Sequence, residues 1–259
     1  MKKVYHLGLD RDMVRGASVA LLPGDPQMVA YIAEKAAAAH GGSHKTVAVN
    51  REFTTCVVKL GKKPLSPFIL VTSTGIGGPS ASIAVDELAQ LGVRTLVRVG
   101  TTGSIQDDIK IGDCVITSGS VRLDGASTHY APVEYPAVAH HDVVSALIKG
   151  AVEASVRYHV GVSASSDTFY HGEERKDSFR KYILRRFRGQ TEELKNLHVL
   201  NYEMESSTIL TLCASMGLKG GCITGVVNRG SVGKVTPETL KKGTESAVAS
   251  AVASLKHLL

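Results

Sequence analysis

The chain has 259 residues, 43% of them hydrophobic, with 30 Lys plus Arg against 24 Asp plus Glu for a formal charge of +6. A chain of this length buries roughly 70–75% of its unfolded surface, and its ordinary apolar content excludes a disordered polymer. Twenty-six glycines against eight prolines, with no Gly/Pro/Ser-rich linker, favour one α/β domain over residues 1–259 rather than two on a tether.

The basic start, Met1 to His6, is interrupted by Asp10, Arg11 and Asp12 before any apolar leader develops, and no stretch is long enough for a membrane span. A cytoplasmic location without a membrane partner is expected. Residues 17–22 read as a strand, Pro23-Gly24-Asp25-Pro26 as a turn, and the alanine-rich stretch to residue 39 as a helix with Pro26 in its first turn. Strands follow at 46–49, 54–60 and 68–72, then a helix at 80–91, a strand at 94–99, a strand at 113–121, a helix at 140–157 and a strand at 159–164.

Seven basic residues lie between Arg175 and Arg188, interleaved with Asp177, Phe179, Tyr182, Ile183, Leu184 and Phe187. The near-helical spacing predicts an amphipathic helix with a solvated basic face. A phosphate or base contact from its first turn is a competing reading; nucleic-acid binding needs a continuous basic track that the apolar interleaving does not supply. Helices at 204–216 and 237–258 flank a strand at 221–227. The repeated alternation predicts a central mixed or mostly parallel sheet covered by helices on both faces.

Cys56, Cys114, Cys213 and Cys222 are scattered without CxxC or zinc-like spacing, so packed thiols are expected rather than a disulfide framework or structural metal. Three glycine-bearing segments follow strands: Pro23 to Pro26, Ser73-Thr74-Gly75-Ile76-Gly77-Gly78-Pro79-Ser80, and Arg98-Val99-Gly100-Thr101-Thr102-Gly103. Such loops either cradle an anion with backbone N–H groups or are only tight turns. Neither a dinucleotide fingerprint nor a P-loop motif is present, which leaves phosphate or a phosphorylated ligand.

Arg98 interrupts an apolar strand and Arg51 lies between two others; each suits either phosphate oxygens or a structural salt bridge. Glu203 and Glu205, in Asn201-Tyr202-Glu203-Met204-Glu205-Ser206, stand where an apolar helix begins. Buried carboxylates there require donors, which a polyhydroxylated ligand such as a sugar can provide. The alternative is a surface capping turn.

Together with Asn50-Arg51-Glu52-Phe53 and Ser165-Ser166-Asp167-Thr168-Phe169-Tyr170, these motifs resemble the nucleoside phosphorylase family, most closely its bacterial uridine phosphorylase branch, over essentially the whole chain. The resemblance implies an α/β fold with a central mixed sheet, a hexamer built as a trimer of dimers, and no organic cofactor. It implies phosphorolysis of a pyrimidine nucleoside, uridine first, with inorganic phosphate as substrate, giving uracil and ribose 1-phosphate.

By motif, Gly24, Arg98 and Thr101 match the phosphate cradle, and Arg51 the arginine lent by an adjacent subunit. Met204 and Glu205 match the ribose-facing pair, His6 the residue reaching across to the 5′ hydroxyl, Phe169 the ring stacked on the base, and Arg175 the donor to a pyrimidine carbonyl. Glu203 supports the pocket and Arg229 a loop over it. Arg98, Arg51, Glu205 and Arg229 are thus the expected catalytic set. Glu52, Ile76 and Ser80 match positions around a monovalent cation such as potassium at a dimer interface.

Where purine-specific relatives carry an acid, this chain has Asn228, which favours pyrimidines. Three residues depart from the family pattern. Met28 stands in place of a phosphate-binding arginine, Glu173 in place of a glutamine on the pyrimidine edge, and His171 in place of a proline. An ionised glutamate accepts hydrogen bonds but donates none, so its charge opposes an anion developing on the base. The alternatives kept open are purine nucleoside phosphorolysis and a catalytically weakened nucleoside-binding homologue.

Overall fold

A computed structural model describes residues 3–230 and 233–259. In chain order its elements are α1 (Arg11–Val14), β1 (Val19–Leu22), α2 (Gln27–Ala39), β2 (Ser43–Asn50), β3 (Phe53–Lys59), β4 (Phe68–Thr72), α3 (Gly78–Gln90), β5 (Thr95–Ser104) and β6 (Cys114–Leu123). They continue with β7 (Ala137–Val138), α4 (His141–Glu153), β8 (Tyr158–Ser166), α5 (Gln190–Asn196), β9 (Asn201–Glu203), α6 (Ser206–Ser215), β10 (Lys219–Arg229) and α7 (Pro237–Leu258).

All ten strands join one mixed sheet in the order β10-β6-β8-β9-β5-β1-β4-β3-β2, with β7 beside β6. Strand β10 also pairs in parallel with β5, so β5, β10, β6, β8 and β9 close into a ring from which β1, β4, β3 and β2 extend as an open wing. Parallel pairs β1–β4, β1–β5 and β6–β8 sit beside antiparallel β2–β3 and β3–β4.

The uninterrupted apolar run of β1 is buried at every position, as expected of a strand covered on both faces. Its side chains alternate: Val19 and Leu21 pack with Ile32 of α2, Leu147 of α4 and Val248 of α7. Ala20 and Leu22 pack with Val85 and Leu88 of α3 and Ile209 of α6. In β5 the same period puts Val97 and Val99 in the first layer and Leu96 in the second. Arg98 therefore points to the side of α3 and α6, where a buried apolar residue would otherwise stand.

Two expectations are overturned. The basic stretch from Arg175 to Arg188 is not an amphipathic helix but a series of turns with one 3-10 turn at Arg185–Phe187. Its apolar residues present no common face: Ile183 is buried while Phe179, Tyr182 and Leu184 are exposed, and a helix without a face to bury is marginal. The Arg98 to Gly103 segment is not a loop. It continues β5, paired along β10 as far as Ser104 and with β9 at Gly103 and Ser104.

Smaller differences concern boundaries. Helix α4 stops at Glu153, with Ser155 at positive φ, and α6 starts at Ser206 because Glu203 and Glu205 are occupied in the turn before it. Helices α1 and α5 and strands β7 and β9 are additional elements. All four cysteines are free and buried.

Candidate active site

The C-terminal ends of β1, β5 and β10, the Gly75 to Ser80 turn and one face of α7 enclose a cavity of about 850 Å³. Of the residues singled out in the sequence, Gly24, Arg98, Thr101, Phe169, Glu173, Glu203, Met204 and Glu205 all line it, as do Glu52, Ile76 and Ser80.

Arg98 is the electrostatic centre. Its Nε donates to Glu203 Oε2 at 2.9 Å, and its Nη2 is ion-paired with Glu205 Oε2. Gly100 makes room for this guanidinium, because a Cβ at that position would stand 2.9 Å from Arg98 Nη2. Burial acts to lower the pKa of Arg98, but Glu205 and Glu203 outweigh it and hold the pKa above its ordinary value. The arginine is thus a fixed cation.

The two acids are used differently. Glu203 accepts from Arg98, from the Glu205 N–H at 2.9 Å, from the Ser206 N–H, and from Ser206 Oγ at 2.6 Å, so protein donors saturate both its oxygens. Glu205 Oε1 accepts from Gly77 N–H at 2.6 Å, a bond made possible by Gly77's positive φ of 89°. Burial pushes the Glu205 carboxyl above the usual carboxylate range, against the pull of Arg98. The surface-turn reading of these acids is excluded, since both are buried.

Two buried polar atoms at the cavity wall have no hydrogen-bond partner: Arg98 Nη1, a donor, and Glu205 Oε2, an acceptor whose ion pair is not an aligned hydrogen bond. Buried groups left unpaired in this way call for an explanation. A donor beside Gly24 and Thr101 fits an anion, and an acceptor beside Met204 fits a hydroxyl.

The opposite wall is the segment between β8 and α5. Glu174 accepts from the N–H groups of Gly189 and Thr191 at 2.6 and 2.8 Å, and Gln190 Nε2 donates to Gly172 O at 2.8 Å, so the start of α5 clamps this segment in place. Arg175 does not itself line the cavity. Its guanidinium lies 4.4 Å from the centroid of the Phe169 ring and gives Nε and Nη2 to Asp177 at 3.1 and 2.9 Å. Burial, opposed by Arg175 and reinforced by Glu203 and Glu205, pushes the Glu173 carboxyl up to about 8.

Besides Arg175, three more expected residues stay outside the cavity. Arg51 is exposed at the β2–β3 turn with φ 52°. His6 gives Nδ1 and its backbone N–H to Glu87 at 2.8 and 2.9 Å, while Asn50 Nδ2 donates to His6 O at 2.7 Å. His6 and the Arg51 turn are thereby tied together on one edge. Arg229 Nη2 donates to Asp107 O at 2.6 Å; Ser231 and Val232, in the loop expected over the pocket, lie outside the described residues.

Glu52 and Ser80 flank Gly75, whose added Cβ would meet Glu52 Cγ at 3.0 Å and Ser80 Oγ at 3.1 Å. Ser80 Oγ also donates to Ile76 O at 3.2 Å. A carboxylate, a hydroxyl and a carbonyl brought together are hard oxygen ligands, fewer than a full coordination shell.

The sequence reading missed one whole wall. Val235, Leu240, Thr244, Ala247 and Val248 line the cavity from α7 and the residues just before it. The signal available was the Thr236 cap, which accepts from Thr239 N–H at 3.2 Å, followed by apolar positions at helical spacing. Nothing in that spacing distinguishes a cavity-facing stripe from a core-facing one. Met28 also lines the cavity, beside Ile32 of α2.

A sequence profile described as the phosphorylase superfamily matches residues 18–259. The uridine phosphorylase of Escherichia coli (strain K12) is 49% identical over 257 residues, 99% of this chain and 98% of that protein. The uridine phosphorylase of Haemophilus influenzae is 44% identical over 260 residues, the full length of both. The guanosine phosphorylase of Halorubrum lacusprofundi is 34% identical over 223 residues, 86% of this chain and 82% of its own.

Proposed function

The chain belongs to the phosphorylase superfamily, and from that premise we propose that its cavity cleaves pyrimidine nucleosides with inorganic phosphate, uridine first, to give the free base and ribose 1-phosphate. The observation that carries this reading is the buried pair of Arg98 Nη1, which has no partner, and Glu205 Oε2, which is ion-paired to Arg98 Nη2 but accepts no aligned hydrogen bond. One asks for an anion and the other for a sugar hydroxyl.

In this reading Arg98, Gly24 and Thr101 hold phosphate beneath the anomeric carbon, Glu205 accepts from the ribose hydroxyls beside Met204, and Phe169 stacks on the base. Glu203 keeps Arg98 and the turn before α6 in position. As the phosphate oxygen bonds to the anomeric carbon, the bond from that carbon to the ring nitrogen breaks and its electron pair spreads over the pyrimidine carbonyls. Catalysis then consists of holding the reactants in line and matching the developing charges. In this reading Arg175, stacked on Phe169, gives up its fork to Asp177 to reach the base.

Arg51 and His6, linked through Asn50 and outside their own cavity, are read as lent together to the site of a neighbouring subunit. That makes a dimer the smallest active unit and a hexameric trimer of dimers the proposed assembly. Glu52, Ile76 and Ser80 would then supply half of an oxygen shell for a monovalent cation such as potassium, completed across the dimer axis. Among the described residues no helix is long and apolar enough to cross a membrane, and the proposed place of action is the cytoplasm.

The relative named as a guanosine phosphorylase makes purine nucleosides the second reading. Asn228 argues against it: its amide lines the cavity while donating to Gly230 O at 3.2 Å, and it is no acid to protonate a departing purine. The test is phosphate-dependent release of base and pentose 1-phosphate from uridine, thymidine, cytidine, inosine and guanosine. Faster turnover of uridine than of any purine nucleoside is expected. A preference for inosine or guanosine, or turnover without phosphate, overturns the assignment.

A further inference from the structure

We propose that Glu173 reads the edge of the pyrimidine as a neutral carboxylic acid, so that a single proton on this side chain decides whether the cavity accepts uracil. The inference deepens the reaction proposed above and rests on the cavity being the base site.

The geometry isolates this carboxyl. Glu173 is only 9% exposed, lines the same cavity as Phe169, and sits on the segment clamped by Glu174 and Gln190. No side-chain hydrogen bond to its carboxyl is formed among the described residues, and the neighbouring Arg175 gives its fork to Asp177.

The charged and titratable groups around it do not favour an anion. On its own segment Glu174 is engaged with backbone N–H groups, His171 lies two residues away, and Arg175 is the cation that acts against the rise. From β9 come Tyr202 and Glu203, from the start of α6 comes Glu205, and from β5 comes Arg98. Arg98 is committed to Glu203 and Glu205, so ionised Glu173 would be a third carboxylate at the cavity wall, opposed by Arg175 alone. Burial with these neighbours holds its pKa up to about 8, which keeps most of it protonated at neutral pH.

Protonation changes what the side chain can say to a base. A carboxylic acid donates through its O–H and accepts through its C=O, the same pattern as a primary amide. It can therefore meet an N–H and a carbonyl side by side, as uracil presents them. The ionised form accepts only; it places negative charge opposite a carbonyl oxygen and against the charge that builds on the leaving base. The opposition expected for an ionised glutamate is thus removed by burial.

The test uses uracil itself as the probe, bound to the wild-type protein and to Glu173→Gln and followed by calorimetry between pH 6.5 and 9. With a carboxyl titrating near 8, wild-type affinity is expected to fall about tenfold from pH 7 to pH 9, since the protonated fraction falls by that factor. The glutamine variant should lose most of this slope. In the wild type alone, the ¹³C resonance of the Glu173 carboxyl should titrate at a higher pH when uracil is bound, because the ligand holds the proton in place.

A pH-independent wild-type affinity, an equal slope in Glu173→Gln, a carboxyl that titrates lower with uracil bound, or no uracil binding by either protein overturns the proposal. Uracil binding with the expected slope, but no phosphate-dependent cleavage of uridine, would sink the reaction and leave this role of Glu173 standing.

Discussion

Replacing Arg98 by alanine tests the centre of the site in two independent ways. The guanidinium pairs with Glu203 and Glu205, and all three side chains are almost completely buried. Removing one partner of a buried charge pair typically costs about 3–5 kcal/mol, because the remaining charge loses its counter-ion. At roughly 2 °C per kcal/mol for a chain of this size, Tm should drop by about 6–10 °C.

The loss should depend on pH with a definite sign. Without Arg98, the carboxyl of Glu205, already raised by burial, rises further. An acid whose folded pKa lies above its unfolded value gives stability that is present at low pH and lost as pH rises. The gap in Tm between variant and wild type should therefore be smallest near pH 5 and widest near pH 8. Combining Arg98→Ala with Glu205→Gln should recover part of the stability by removing one unpaired charge.

Phosphate gives the second readout. Loss of a charge-assisted donor is worth about 1.5–3 kcal/mol, or roughly ten- to over one-hundredfold in phosphate KM, and the double variant should not recover it. Scanning calorimetry at three pH values and phosphate-dependent kinetics measure both quantities. A Tm within a degree of wild type at pH 8, or an unaltered phosphate KM, refutes the geometry assigned to Arg98.

Gly100→Ala should raise the phosphate KM at least tenfold with a smaller loss of stability, because its Cβ would crowd Arg98 Cζ at 3.0 Å; steady-state kinetics and Tm on the same sample separate the two effects. Mixing subunits that carry Arg51→Ala with subunits that carry Arg98→Ala should restore activity that neither variant has alone, since one site in each mixed dimer regains both arginines; no recovery after subunit exchange contradicts the lending of Arg51. Asp124 accepts from Ser127 N–H, Ser207 Oγ and Thr208 Oγ1, and although burial works to raise its carboxyl, these bonds hold it below the usual range. Its contribution is present above the ordinary aspartate pKa and lost as pH falls through the lower folded value. Asp124→Ala should therefore cost about 2–3 kcal/mol at pH 7 and flatten the acid limb of stability against pH, as read by denaturant unfolding.

Much of this arrangement is written in local patterns. The continuous apolar run of β1 and the bounds of β4 follow from composition alone, and Arg98 stands out because nothing but a buried anion explains a guanidinium in an interior strand. Glu203 and Glu205 are marked by the same argument. Other features depend on contacts that no local pattern records. The three residues of β9 are too few to show a period, and the basic stretch before α5 has helical spacing without a surface to pack against. The α7 wall is apolar like any core helix; only the closing of β10 against β5 turns that face toward a cavity. The roles proposed for Arg51 and His6 need a second copy of the chain, which no local pattern in one chain can display.

The walls of this cavity come from residue 24 near one end of the chain and residue 248 near the other. Anything that binds across it fastens the β1–α2 turn to the last helix, acting as a removable stitch between distant parts of the polypeptide. A ligand that binds only the folded chain stabilises this contact by mass action. A ligand that spans the cavity should therefore slow proteolysis of α7.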